Sequence, residues 1–395
     1  MRVLVLPSWF PPNGGEFFHQ QASVLARLGC TVKVVAPVAV SIRNPLKWIA
    51  SVFNLIFFMF EIEQEKEFEV FRFSYPLIPR IEAINMTIQS YGIKKVVGKV
   101  RENFVPDVVH VHSLIWAGYA ASLIKKKYGY PYFVTEHRGR FINNNYVDPA
   151  QLKTITSNRT KVSARFAEKI YAVSPAMLPA LKQLDNFRKI EFGVIPNMVD
   201  TEFFTPNTQP NKNAKFRFFS LAGLTPLKGF LDLIDAFSRI KEFDAELVIG
   251  GDGPQRKEIE ARIDELNITN KVSLLGALDR MEVRNQMRKS DAFVLATKYE
   301  AFGVVFIEAM ACGLPIIATN SGGPESIVHE DVGYLSNVGD IQALALNMRK
   351  MINNRSLFDG VNIRKITCDT YSEDAIGRCL IQHFEQIIDS NNREV

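Results

Sequence analysis

Two doubly wound α/β domains, each a Rossmann-like parallel sheet, are the fold class this chain predicts, and three observations predict it. Short apolar runs alternate with helix-patterned segments through the first half of the chain. A polar, proline-bearing stretch, Thr205 to Asn213, then interrupts the pattern. The alternation restarts at Phe216. Apolar strands alternating with helices belong to parallel sheets covered on both faces, and a Pro/Asn-rich break reads as a linker. At 395 residues two domains are expected. The chain divides into 1–205, 206–371 and a last helix within 372–395.

The elements follow in order. Arg2–Pro7 reads as a strand. Glu16–Leu28 reads as a helix with Phe18, Ala22, Leu25 and Leu28 on one face and Gly29 closing it, and Val32–Pro37 as the next strand. Phe71–Tyr75 alternates as a strand does, and Val108–His112 is a strand followed by a helix from Leu114 to Lys127. Tyr132–Glu136, Ile170–Val173 and Gly193–Pro196 complete the first set. After the break, Phe216–Ala222, Glu246–Gly250, Val272–Leu275, Ala292–Ala296 and Ile316–Thr319 read as strands. The helix Phe230–Ile240 buries Phe230, Leu233, Ile234 and Phe237.

Composition narrows the function classes. The chain is 47% hydrophobic and 23% charged, the balance of a globular protein with a substantial core. A net charge of +5 suits an anionic nucleotide or an anionic membrane surface and is too small to argue for nucleic acid. Cys30, Cys312, Cys368 and Cys379 lack paired spacing, so neither a zinc site nor a disulfide framework is indicated. The start, Met1 to Pro7, lacks the pattern of a signal peptide, which points to a cytoplasmic location. Trp48 to Ile62 is strongly apolar, preceded by Arg43 and Lys47, and shorter than the roughly 20 residues a spanning helix needs. Two readings stand: a core-packed helix, or an interfacial helix on the inner membrane leaflet.

The segment from Glu300 to Pro315 carries the chemistry. Two carboxylates eight residues apart sit in apolar surroundings at the mouth of a helix that starts near Gly303 and stops at Gly313-Leu314-Pro315. Backbone N–H groups at that start are free to meet an anion, and an ionised Glu accepts several hydrogen bonds from a polyhydroxylated ligand. A purely structural reading also stands, with Glu300 capping the helix and Glu308 paired to a Lys or Arg. Gly14-Gly15, between the first strand and the first helix, permits close backbone approach to a ligand. Gly251-Asp252-Gly253 has Arg256 where a dinucleotide fingerprint needs a third glycine, so NAD binding is unsupported. His110 and His112 share a strand face without a third metal ligand, and His110 reads as a structural histidine.

The Glu300–Glu308 segment resembles the E-x7-E motif of the retaining glycosyltransferases of family 4, which have the GT-B fold: two Rossmann-like domains facing a central cleft. The loops Gly14-Gly15, Pro106–His112, Thr135–Arg138, Val173-Ser174-Pro175, Ile195–Asp200, Leu221–Phe230, Val248–Pro254, Val272–Gly276 and Ser321–Glu325 are similar to the family's signatures in order and spacing. The resemblance implies transfer of a sugar from a nucleoside-diphosphate-sugar to a hydroxyl of a glycan or lipid-linked glycan, with no metal and no further cofactor. It implies three catalytic residues: Glu300 at the donor sugar, His137 beside the reacting carbon and Lys228 at the leaving phosphate. It puts Gly15, Phe302, Gly303, Val304, Val305, Glu308 (at the ribose) and Gly276 (at the base) on the donor, and Gly14 and Arg138 on the acceptor side. It also implies a last helix, Ser372 to Asp389, that crosses back onto the first domain. In one place the chain departs from the family: Gly223 stands where an arginine is expected. Losing one preorganised charge-stabilising group typically costs about 3 kcal/mol of transition-state binding; Arg138 or Arg256 is a candidate substitute. The rival readings are a nucleotide-sugar epimerase of the same fold and a non-catalytic sugar- or nucleotide-binding protein.

Overall fold

The computed structural model describes residues 1–12, 14–141, 158–184, 190–207 and 215–393. Its strands are β1 (Arg2–Pro7), β2 (Thr31–Ser41), β3 (Glu61–Gln64), β4 (Glu69–Leu77), β5 (Val108–His112), β6 (Tyr132–Glu136), β7 (Lys169–Ala172), β8 (Glu191–Val194), β9 (Phe216–Leu221), β10 (Ala245–Gly250), β11 (Val272–Gly276), β12 (Ala292–Leu295), β13 (Ile316–Thr319) and β14 (Gly333–Ser336). The described α-helices are α1 (Glu16–Arg27), α2 (Pro45–Phe57), α3 (Glu82–Val100), α4 (Ala117–Tyr128), α5 (Asn158–Phe166), α6 (Leu178–Lys182), α7 (Phe230–Ser238), α8 (Arg256–Glu265), α9 (Arg280–Arg288), α10 (Val304–Ala311), α11 (Ile341–Asn353), α12 (Gly360–Tyr371) and α13 (Glu373–Arg393).

Two compact units result. The first holds residues 1–173, 177–196 and 376–395, the second residues 174–176 and 197–375. In the first, an eight-stranded sheet runs β3-β4-β2-β1-β5-β6-β7-β8. All its pairings are parallel except β3 with β4. In the second, a six-stranded sheet runs β11-β10-β9-β12-β13-β14, parallel throughout. Strand order reverses at β1 and at β9, and in open α/β sheets ligands gather at such switch points. At these points β1, β5 and β12 are buried on both faces except for Arg2, as their mainly apolar runs require.

The boundary differs from the expected 205/206. Residues 197–205 belong to the second unit because their backbone is tied there. Val199 N donates to Tyr371 O, and the Arg364 guanidinium donates to Thr201 O and Phe204 O. Thr205 is held by Arg288. Of the expected linker, residues 208–213 lie outside the described residues, as does Asn13 beside Gly14. In α13, the Phe384 ring packs at a tilt against His110 and Phe133, and His383 does so against Tyr171. Gly377 leaves room for Val24 and Leu28 of the first unit.

The Trp48–Ile62 segment is not a core helix. It forms α2, which ends at Phe58 in the left-handed region, and then opens β3 at Glu61. Pro45 and the Asn44 cap start the helix. What turns inward is its polar side: Ser51 is buried, Asn54 donates to Ser74 Oγ (2.9 Å) and Trp48 Nε1 donates to Leu77 O (3.2 Å). The apolar side faces out. Among the described residues no helix is long and apolar enough to cross a membrane.

Candidate active site

In the second unit the site assembles at the strand ends around β9. The loop after β9 ends in Lys228-Gly229, and Gly229 opens α7 at φ 67° with no side-chain cap. A Cβ on Gly229 would lie 1.9 Å from Ala296 O, so only glycine fits. Lys298 N and Thr297 Oγ1 both donate to Leu227 O, clamping this loop to the end of β12 (2.8 and 3.1 Å). The clamp sets the Lys228 ammonium against the Glu300 carboxylate, Nζ to Oε2 2.7 Å, with both side chains partly exposed. Glu300 itself is fixed by its backbone: its N–H donates to Ser321 O and its carbonyl accepts from Gly323 N.

Phe302 is buried and Gly303 follows at φ 96° as the start of α10, again without a side-chain cap. A Cβ at Gly323 would meet the Phe302 backbone at 2.3 Å, so the two loops touch main chain to main chain. The first N–H groups of α10, on Val304 and Val305, receive no side-chain cap. Glu308 lies one turn on. Burial pushes its carboxyl up to about 7, with the charge of Arg280 pulling the other way. Gly276 ends β11 at φ 78°, its carbonyl taking Gly251 N (2.7 Å), and the Arg256 guanidinium lies 3.7 Å from where its Cβ would be. Arg256 is ion-paired to Glu260 at 2.9 Å. Gly223 is exposed, at an ordinary φ, with nothing nearer than Asp252 O at 3.9 Å to its missing side chain.

In the first unit the corresponding cluster lies at the ends of β1, β5 and β6. Gly14 and Gly15 both hold positive φ (82° and 88°), and Gly15 is packed so closely on Trp9 that a Cβ would sit 2.9 Å from its carbonyl. His137 Nε2 meets His112 Nδ1 at 3.1 Å and packs against the rings of Phe17 and Phe18. The Arg138 guanidinium lies 4.4 Å over the Trp9 ring. His110 is fully buried, hydrogen-bonded to Thr135 Oγ1 (3.0 Å) and stacked on Phe133, a structural histidine as read from sequence. Desolvation holds both His110 and His112 well below the ordinary histidine range.

One residue escaped the sequence reading. Glu136 is wholly buried and its two oxygens accept from Leu114 N (2.8 Å) and Arg138 N (3.0 Å). Burial, outweighing those bonds, raises its carboxyl above the usual range. Its signal was its place inside Thr135–Arg138, as an acid ending an otherwise apolar strand. Among the described residues no group of His, Cys, Asp and Glu has the arrangement to hold a metal ion.

The architecture and its two strand-end clusters match known proteins. The model for glycosyl transferases group 1 covers residues 202–364, and that for glycosyltransferase family 4 covers residues 14–203. An uncharacterized glycosyltransferase of Methanocaldococcus jannaschii is 30% identical over 74% of this chain and 78% of its own length. The N-acetyl-alpha-D-glucosaminyl L-malate synthase of Bacillus anthracis is 29% identical over 65% and 68%. Among solved structures, Anabaena HepE in complex with UDP superimposes with a TM-score of 0.71, covering 98% of this chain and all of that one at 20% identity. The fold is therefore GT-B. The chain belongs to the family 4, group 1 glycosyltransferases. It is an enzyme of nucleotide-sugar-dependent glycosyl transfer in glycan biosynthesis, which decides against the epimerase and binding-protein readings.

Proposed function

We propose that this chain moves a sugar from a nucleoside-diphosphate-sugar to a hydroxyl of a glycan or lipid-linked glycan, with retention of anomeric configuration and without a divalent ion. The observation that carries the reading is the Lys228–Glu300 pair at 2.7 Å beside the uncapped start of α10. A cation and free backbone N–H groups side by side suit a leaving diphosphate, whose charge grows as the glycosidic bond breaks. Glu300, drawn from Lys228 to the sugar hydroxyls, positions the donor sugar. Glu308 takes the ribose hydroxyls, Gly276 borders the base, and Gly15 and His137 serve the donor phosphate and sugar. Gly14 and Arg138 lie on the acceptor side.

Retention without a covalent intermediate fits the first unit. Glu136, the carboxylate closest in sequence to His137, is spent on two backbone N–H groups and does not face a substrate as a nucleophile. The leaving phosphate then accepts the acceptor's proton as the new bond forms on the face it vacates. UDP in HepE makes a uridine donor the first to test. The outward apolar face of α2 supports a cytoplasmic enzyme working at the inner leaflet on a lipid-linked acceptor in envelope polysaccharide or glycolipid synthesis.

The test is release of nucleoside diphosphate that requires donor and acceptor together. Glu300→Ala is expected to lower that rate by about 10²-fold or more; an unchanged rate sinks the assignment. Turnover is expected to survive EDTA, and its loss, restored by added Mg²⁺, overturns the metal-free reading. A thermal-shift panel of UDP-, GDP- and ADP-sugars identifies the base, since a bound donor raises apparent stability by mass action.

A further inference from the structure

A soluble helix normally turns its apolar stripe to the core and its polar face to water. Helix α2 does the reverse. Leu46, Ile49, Phe53, Ile56 and Phe57 expose between 50% and 81% of their surface, while Ser51, Asn54 and the Trp48 indole N–H face the sheet. Phe53 and Phe57 stack with their planes 2° apart and their centroids 6.4 Å apart, so the two exposed rings form one contiguous aromatic pair. The apolar area continues past the helix through exposed Met59. A patch of this kind on an otherwise ordinary surface marks an interaction site.

Charge selects the occupant. From Ile42 to Phe60 the only charged residues are Arg43 and Lys47, both exposed, at the start of the helix. A third cation, Lys95, lies 4.2 Å over the Phe58 ring at its other end. Of the acids that follow, Glu63 is neutralised by Arg72 at 2.6 Å, and Glu61 lies beyond the helix in β3. An apolar stripe flanked by cations at both ends is the complement of lipid tails beneath anionic headgroups. Thirteen residues are too few to cross a bilayer, so the helix lies in the interface plane. A second copy related by a two-fold axis would set the same cations against each other.

We propose that α2 docks this enzyme on an anionic lipid bilayer, with Phe53 and Phe57 entering the headgroup–acyl boundary and Arg43, Lys47 and Lys95 meeting lipid phosphates. This rests on the inner-leaflet reading above and gives it a surface. Its test is binding alone. Full-length protein is sedimented with vesicles of phosphatidylcholine, or of phosphatidylcholine mixed with phosphatidylglycerol, at low and high salt. The expected result is partitioning onto the anionic vesicles that weakens as salt rises. Phe53→Ser/Phe57→Ser and Arg43→Glu/Lys47→Glu are each expected to weaken it by roughly tenfold or more. Both variants should keep the wild-type melting temperature and its shift with UDP, which separates a failure of docking from a failure of donor binding. The proposal is overturned if wild type stays in the supernatant with anionic vesicles. It is overturned equally if the phenylalanine variant pellets as wild type does, or if the protein is a dimer in solution that this variant converts to a monomer.

Discussion

The loops after β1 and β9 hold the same topological position in their sheets and are made of different materials. After β9 the site is backbone fitted to backbone: a Cβ on Gly229, Gly251 or Gly323 would fall 1.9 to 2.3 Å from main-chain atoms of a neighbouring loop. After β1 it is built largely from rings, with Trp9, Phe17, Phe18, His112 and His137 packed on one another; Gly14 meets nothing closer than 3.7 Å, and the main-chain contact of Gly15, to Trp9 O at 2.9 Å, lies within its own loop. A surface made of main chain presents fixed N–H groups, which suits a diphosphate common to every donor. A surface made of side chains can be recut by substitution, which suits a donor sugar and an acceptor that differ between relatives.

The largest expected effect tests that contrast directly. Gly229→Ala forces both a left-handed alanine and a collision with Ala296 O, and is expected to cost at least about 3 kcal/mol. Gly14→Ala carries only the backbone penalty of about 1 kcal/mol. Urea unfolding measures both, and equal losses would erase the distinction. Next comes the pair of polar groups. On the proposed reading, Lys228→Ala removes a cation from the leaving group and is expected to lower kcat about 10²-fold. On the same reading, His137→Ala removes one hydrogen bond to the sugar, worth about tenfold. The reverse ranking in steady-state kinetics would move the chemistry to the first unit.

The units also differ in how pH acts on them. Glu308 is raised from its ordinary 4.5 to about 7, so the folded state holds a proton that the unfolded chain releases. Its contribution is present at low pH and is lost as pH rises from about 4.5 through 7, by at most about 3 kcal/mol. His110 and His112 are lowered, so they act oppositely: their unfolded forms take up protons below 6.5 and stability falls on acidification, with raised Glu136 opposing them. Glu308→Gln is expected to gain stability over wild type between pH 5 and 8 as the pH rises. A constant difference between the two melting curves across that range contradicts the buried-carboxyl assignment.

Legibility in the sequence followed burial. Strands buried on both faces, such as Val108–His112 and Ile316–Thr319, are mainly apolar, with His110, His112 and Thr319 as their polar members, and their expected ends match the structure. The glycine mouths at Gly303 and Gly313 were legible because a positive φ leaves few other residues. Helix α2 was ambiguous because an apolar run reports hydrophobicity and not what covers it. The Lys228–Glu300 contact spans 72 residues, and no local pattern carries such a pairing. The short strand β14 spans only four residues, and the polar helices α8 and α9 bury only two apolar side chains each, Ile259 with Ile263 and Val283 with Met287, too few to stand out.

The smallest expected change in stability bears on the departure at Gly223. Every other glycine discussed in the second unit is demanded by positive φ or by close main chain, yet Gly223 has neither, and its side-chain direction is open beyond Asp252 O at 3.9 Å. Its loop is stitched to the Gly251–Gly253 loop through Leu224 N to Asp252 O and Gln255 N to Leu224 O (both 3.0 Å), so an arginine placed there enters a fixed frame. Gly223→Arg is therefore expected to fold at least as well as wild type, within about 1 kcal/mol on the stabilising side from reduced unfolded-chain entropy. If the missing cation limits departure of the phosphate, the variant gains in kcat with little change in thermal shift by UDP. Arg256, held at Gly276 by its pair with Glu260, offers the contrasting outcome. A Gly223→Arg enzyme no faster than wild type, together with an Arg256→Ala enzyme slowed about 10²-fold, would mean that the second cation reaches the phosphate from α8 instead.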